Sequence, residues 1–66
     1  MPYATVNELP SAVKRALGTG KDARSWMHIW NSAYRSCSEK GSKPADCEAR
    51  AFATANGTMK RQGKPV

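Results

Sequence analysis

Between Asp22 and Ser38 the large apolar side chains recur at intervals of three and four: Trp26, Ile29, Trp30, Ala33, Tyr34 and Cys37. At 100° per residue they cover one broad arc, while Arg24, His28, Asn31 and Arg35 follow one another along the opposite side. This periodicity predicts a central amphipathic helix over 22–38, with one face for the core and the other for solvent or a partner.

Weaker patterns flank it. Met1 to Val6 reads as extended, because Pro2 cannot donate to a ladder and Tyr3, Thr5 and Val6 suit a pleated surface; a short edge strand or an ordered arm is expected there. Leu9-Pro10-Ser11 then marks a helix entrance, with Ser11 as the expected cap of a short segment in which Val13, Ala16 and Leu17 share a face, ended by Gly18-Thr19-Gly20. The stretch from Glu39 to Ala45 holds Gly41, Ser42 and Pro44 without a large apolar residue, so it is the expected loop. A last helix is predicted from Asp46 to about Ala55. Met59 would join Ala51, Phe52 and Ala55 if the helix ran on through Asn56-Gly57, a pair that ordinarily stops one. Residues 60–66 are polar, basic and rich in helix breakers, which predicts a flexible tail.

The expectation is therefore one mainly α domain over residues 1–59, of about three helices with a short N-terminal extended segment. Its core is drawn from Leu9, Val13, Leu17, Trp26, Ile29, Trp30, Ala33, Tyr34, Phe52 and Ala55. A chain of 66 residues has room for one domain, and a core of this size supplies only about 3–5 kcal/mol, which counts against an active-site cleft. His28 has no nucleophile, serine elbow or carboxylate pair in a matching pattern, so no catalytic residue is expected. Gly18-Thr19-Gly20 lacks the spacing and the following Lys-Ser/Thr of a phosphate loop. With a single histidine and no close cysteine pair, neither a metal site nor a cofactor is expected.

Charge changes the picture most. Eleven Lys and Arg stand against five Asp and Glu, a net of +6 and a pI near 9.8, which suits an acidic partner, nucleic acid foremost. Ser11 to Arg35 and Asn56 to Val66 carry the excess, and the segment between them is balanced. The candidate binding residues are Lys14, Arg15, Lys21, Arg24, His28 and Arg35 in the first region and Lys60, Arg61 and Lys64 in the second. Core packing is the expected role of Trp26, Trp30 and Tyr34, with base stacking as the alternative. No run of about 18 apolar residues and no secretory pattern are present, so the chain reads as soluble and cytoplasmic, or as a virion component if phage-encoded. In that setting Cys37 and Cys47 are expected as free buried thiols, with pairing as the alternative if their two helices form a hairpin.

Met1-Pro2-Tyr3, Leu9-Pro10 with Val13 three residues on, and Trp30-Asn31-Ser32-Ala33-Tyr34 together resemble the ChaB family. Its members open with Met-Pro-Tyr and carry an aromatic-Asn-Ser-Ala-aromatic element. Ala51-Phe52-Ala53 stands where the family usually has Ala-Trp-Ala, and the likeness spans roughly Met1 to Ala55. The resemblance implies a small domain of about three helices with a little β-structure. Some members are named cation transport regulators for a neighbouring antiporter gene, and others occur in phages and large DNA viruses. For Asn31 and Ser32 it implies a structural task, a side-chain hydrogen bond to a neighbouring segment's backbone. The leading functional expectation is a non-catalytic accessory protein that binds nucleic acid without strong sequence preference. The alternative is a regulator that meets an acidic protein surface, or a small virion part.

Overall fold

A computed structural model describes residues 3–66, so the expectations for Met1 and Pro2 lie outside the described residues. A single turn of 3₁₀ helix, Val6–Glu8, precedes three α-helices: α1 (Ser11–Leu17), α2 (Lys21–Glu39) and α3 (Pro44–Arg61). No strand occurs among the described residues. The expected extended segment is thus replaced from Val6 onward by the 3₁₀ turn. The cause is local: Glu8 reaches back to accept from the Ala4 amide at 3.4 Å and the Thr5 hydroxyl at 3.5 Å. That is a variant of the Thr-x-x-Glu box that opens helices.

α1 begins one residue earlier in the chain's logic than a serine cap would require. Pro10 is the capping residue and Ser11 makes no side-chain cap; the Pro10 carbonyl accepts instead from the Val13 and Lys14 amides. Gly18, at φ 79°, ends the helix as expected, in a left-handed conformation that favours glycine. Three residues later α2 starts, and it extends the predicted central helix by one residue at each end.

α2 and α3 form an antiparallel hairpin across the four residues Lys40 to Lys43. Descending α2 from Cys37 through Trp30 and Trp26 to Asp22, the partners ascend α3 and its exit: Cys47, Phe52, Asn56 and Lys64. α1 and the 3₁₀ turn pack against α2. The long axis of the molecule measures 32 Å, little more than the roughly 28 Å length of a 19-residue helix.

α3 departs most from expectation. It starts at Pro44, where a proline at the first helical position loses nothing because that amide has no intrahelical partner. It also runs through Asn56-Gly57 to Arg61, past the expected stop near Ala55 and the expected domain boundary at Met59. Tertiary contacts override the local signal. Asn56 Oδ1 accepts the Trp26 indole N–H at 2.8 Å, and Met59 one turn on is almost fully buried. The roughly 1 kcal/mol that a helical glycine costs is small beside that burial.

The core joins Leu9, Val13, Ala23, Trp26, Met27, Trp30, Ala51, Ala55 and Met59, with Tyr3, Val6, Leu17, Ile29, Ala33, Tyr34 and Phe52 packed against it. All ten expected core residues belong to this set. Trp30 is its hub: Tyr34 stacks on it at 5.1 Å, Phe52 meets it edge-on at 5.6 Å, and Tyr3 lies 4.7 Å away at a tilt. Cys37 and Cys47 are also buried, and they form a disulfide with Cα atoms 5.4 Å apart. The expectation of free thiols is therefore corrected. The hairpin brings the end of α2 against the start of α3, within the range a disulfide spans.

Candidate nucleic-acid interface

The outward side of α2 is a cationic face. Lys21, Arg24, His28 and Arg35 are all exposed, and turning at 100° per residue they fall within one arc. Ser32 shares this arc and is exposed. Asn31, expected on the same stripe, is turned away from it. Its Oδ1 accepts from the Tyr3 amide at 2.9 Å and its Nδ2 donates to the Tyr3 carbonyl at 2.8 Å. The side-chain amide satisfies both polar groups of one residue of the N-terminal segment, as a neighbouring strand would. This leaves Asn31 unavailable to a partner, and Ser32 makes no such bond among the described residues.

The same arrangement withdraws the two tryptophans from any stacking role, and Tyr34 is half-buried against Trp30. Trp26 and Trp30 are 0% and 1% exposed, so neither ring offers a face to a base. Tyr3, which covers both, has its phenol held above the ordinary range, first by burial and second by the nearby Glu48 carboxylate.

Three helix ends converge where α2 begins. The C-terminus of α1 carries Lys14 and Arg15 in its last turn, and three residues connect it to Lys21. The C-terminus of α3 carries Lys60 and Arg61 in its last turn, where they face the negative end of the helix dipole. Beyond it, the Gly63 amide donates to Lys60 and the Lys64 amide to Met59, with Gly63 at φ 76°. This is the paired closing turn that a left-handed glycine makes possible. It folds the chain back, so that Lys64 meets Asp22 at 3.3 Å. The two basic regions that lie far apart in sequence thus become one.

Lys14, Arg15, Lys21, Arg24, Lys60, Arg61 and Lys64 share this end with Asp22 of the first α2 turn, and Glu8 of the 3₁₀ turn adjoins Asn7, the acceptor of Lys14. The hairpin's other end holds Arg35, Lys40, Lys43 and Arg50 with Glu39, Asp46 and Glu48. Most of the +6 charge is therefore concentrated at one pole. Of the candidate cations, Lys64 is ion-paired, Lys14 donates to the Asn7 carbonyl at 3.0 Å and Arg61 touches the Thr58 hydroxyl at 3.5 Å. Arg15, Lys21, Arg24, Arg35 and Lys60 have no ion-pair partner among the described residues.

No protein-family model, no curated protein and no solved structure matches this chain. The basic pole is an exposed, strongly charged surface. The concavity at the other end of the hairpin encloses about 230 Å³, below the roughly 300–1,000 Å³ of small-molecule pockets. No helix is long and apolar enough to cross a membrane.

Sequence reasoning found every cation of the pole and missed what assembles them. The signal was present: Lys60-Arg61-Gln62-Gly63 is a helix C-terminus with basic residues in the last turn and glycine just beyond. Asn56-Gly57, four residues earlier, is the stronger local stop signal.

Proposed function

We propose that the protein is a small non-catalytic module that binds nucleic acid through phosphate contacts, without strong sequence preference. The observation that carries this reading is the convergence of Lys14, Arg15, Lys21, Arg24, Lys60 and Arg61 on one pole, from three helix ends and two distant segments. A backbone carrying one charge per ~1.7 Å of duplex rewards a cluster of cations that sits within a few phosphates' reach. Phosphate contacts position a protein without reading sequence, and cations dominate the side chains this pole presents. Arg35 and His28 extend the cationic face along α2 and lengthen the track. The ChaB-like motifs of the N-terminal half fit this reading as scaffold: Tyr3, Trp30, Asn31 and Tyr34 fasten the N-terminal segment to α2.

The second reading is a regulator that meets an acidic protein surface, and the same face serves it. The buried disulfide favours an oxidising setting for the mature protein over the cytoplasm, which suits a particle-borne or exported partner. Substituting Lys21, Arg24 and Arg61 together by Glu decides where binding occurs. Under this proposal the triple variant loses at least about 100-fold in affinity for both single- and double-stranded oligonucleotides, each lost contact costing a share of the counterion release. Unchanged binding removes the basic pole from the interface.

A further inference from the structure

At the end of the hairpin away from the basic pole, α2 and α3 leave an open concavity of about 230 Å³. Its polar lining is Ser36, Lys40, Ser42, Arg50 and Thr54, and its least exposed members are Ala33 and the disulfide-bonded Cys37. The topology explains why it stays open. Asn31 and Tyr34 lie on the flank of α2 that the N-terminal segment covers, whereas Ala33 and Ser36 lie on the other flank, facing Arg50 and Thr54 of α3.

We infer that this concavity is a binding site for a phosphate-class oxyanion. Lys40 and Arg50 both line it, and neither has an ion-pair partner among the described residues. The hydroxyls of Ser36, Ser42 and Thr54 likewise have no hydrogen-bond partner there. Two cations and three hydroxyl donors around one space match the several acceptor oxygens of a phosphate better than the two of a carboxylate. No acidic side chain joins the lining. The Glu48 carboxylate lies on the Tyr3 side of α3, where it acts on the Tyr3 phenol.

The backbone does not oppose an anion at this place. Two of the last α2 carbonyls are engaged: Cys37 accepts from the Lys40 and Ser42 amides at 3.1 and 3.4 Å, and Ser38 accepts from Gly41 at 3.0 Å. The positive end of α3 lies alongside the negative end of α2, so the helix dipoles largely offset and side-chain charge decides. The disulfide fixes Cys37 beside Lys40 and holds Arg50, one turn beyond Cys47, opposite Ser36. A phosphate group and its first linked atoms fit the volume. The anion is a phosphate group on a larger molecule, or free phosphate. This site stands whether or not the basic pole binds nucleic acid.

The test is an NMR titration of the ¹⁵N-labelled disulfide-bonded protein with inorganic phosphate, against acetate and chloride at matched ionic strength. Saturable shifts are expected at the amides of Ser36, Lys40, Ser42, Arg50 and Thr54 with phosphate alone. The exposed pair K40Q/R50Q should keep the dispersed spectrum of the folded protein and weaken phosphate about tenfold or more. A short single-stranded oligonucleotide is the second arm. Shifts at these same amides, lost in K40Q/R50Q, identify a backbone phosphate as the source, and their absence while inorganic phosphate still saturates the site identifies a free phosphate. Equal shifts with acetate, a response spread over Arg24 and Arg35, or undiminished phosphate binding by K40Q/R50Q would overturn the inference. Variants at Lys21, Arg24 and Arg61 leave this response intact, so the two sites fail separately.

Discussion

Trp26 donates its indole N–H to Asn56 Oδ1 at 2.8 Å, across the α2–α3 hairpin and 30 positions apart in sequence. The bond sits beside a ring that is fully buried, so its donor has no access to water if the acceptor is removed. Together with the burial of Met59, this contact accounts for a helix that continues through Asn-Gly.

A sign test follows for Asn56→Ala. Helix propensity alone favours alanine over asparagine by some tenths of a kcal/mol, which would stabilise the protein. An orphaned buried N–H costs about 1–3 kcal/mol. The second effect wins, and urea denaturation followed by circular dichroism should show a net loss of about 1–2 kcal/mol. A gain would mean that the bond does not hold α3 in place.

Reduction of the Cys37–Cys47 disulfide should also destabilise the fold without abolishing it. The cross-link closes a loop with a sequence separation of 10, for which chain-entropy arguments give about 2–3 kcal/mol. The paired Cys37→Ser, Cys47→Ser variant should unfold at correspondingly lower urea while retaining its helical spectrum, because the aromatic core lies elsewhere along the hairpin. An unchanged midpoint would show that the bond does not constrain the unfolded chain.

Tyr3 supplies a pH dependence. The folded state holds its phenolic proton more tightly than the unfolded chain, so this stabilisation is complete below about pH 10 and is lost as pH rises through the folded value. Between pH 8 and pH 11 the wild-type protein should therefore lose more stability than Tyr3→Phe, which packs alike and does not titrate. Parallel losses in the two proteins would place the Tyr3 hydroxyl in water.

Much of this architecture is legible from residue spacing because α2 does most of the organising. Trp26, Trp30 and Tyr34 mark its inner face so strongly that its limits are misjudged by a single residue at each end. The small core residues Ala23 and Ala51 give no comparable signal, and Met27 sits at the edge of the arc. Asn31 shows how a helical wheel misleads. By angle it belongs with Arg24 and Arg35, and only a segment 28 positions away, Tyr3, turns it into a structural residue. The end of α3 was misread for the same reason: local breakers at Asn56-Gly57 yield to a partner, Trp26, that no window of neighbouring residues contains. The disulfide depended on the hairpin register, which spacing alone leaves open. Among the candidate site residues, the cations were evident from composition. Their gathering at one pole was not, since it needs Gly63 to turn the chain and Asp22 to receive Lys64.

Nucleic-acid binding by that pole is tested most directly by titrating the disulfide-bonded protein into labelled single- and double-stranded DNA at about 50 and 200 mM salt. About four phosphate contacts predict a log–log slope near −3 to −4 and a loss of roughly 100-fold across this range. Micromolar or tighter binding at the lower salt that weakens along such a slope is the expected result. Absence of binding at the lower salt, or an affinity indifferent to salt, would contradict the account and leave an acidic protein surface as the partner of the basic pole.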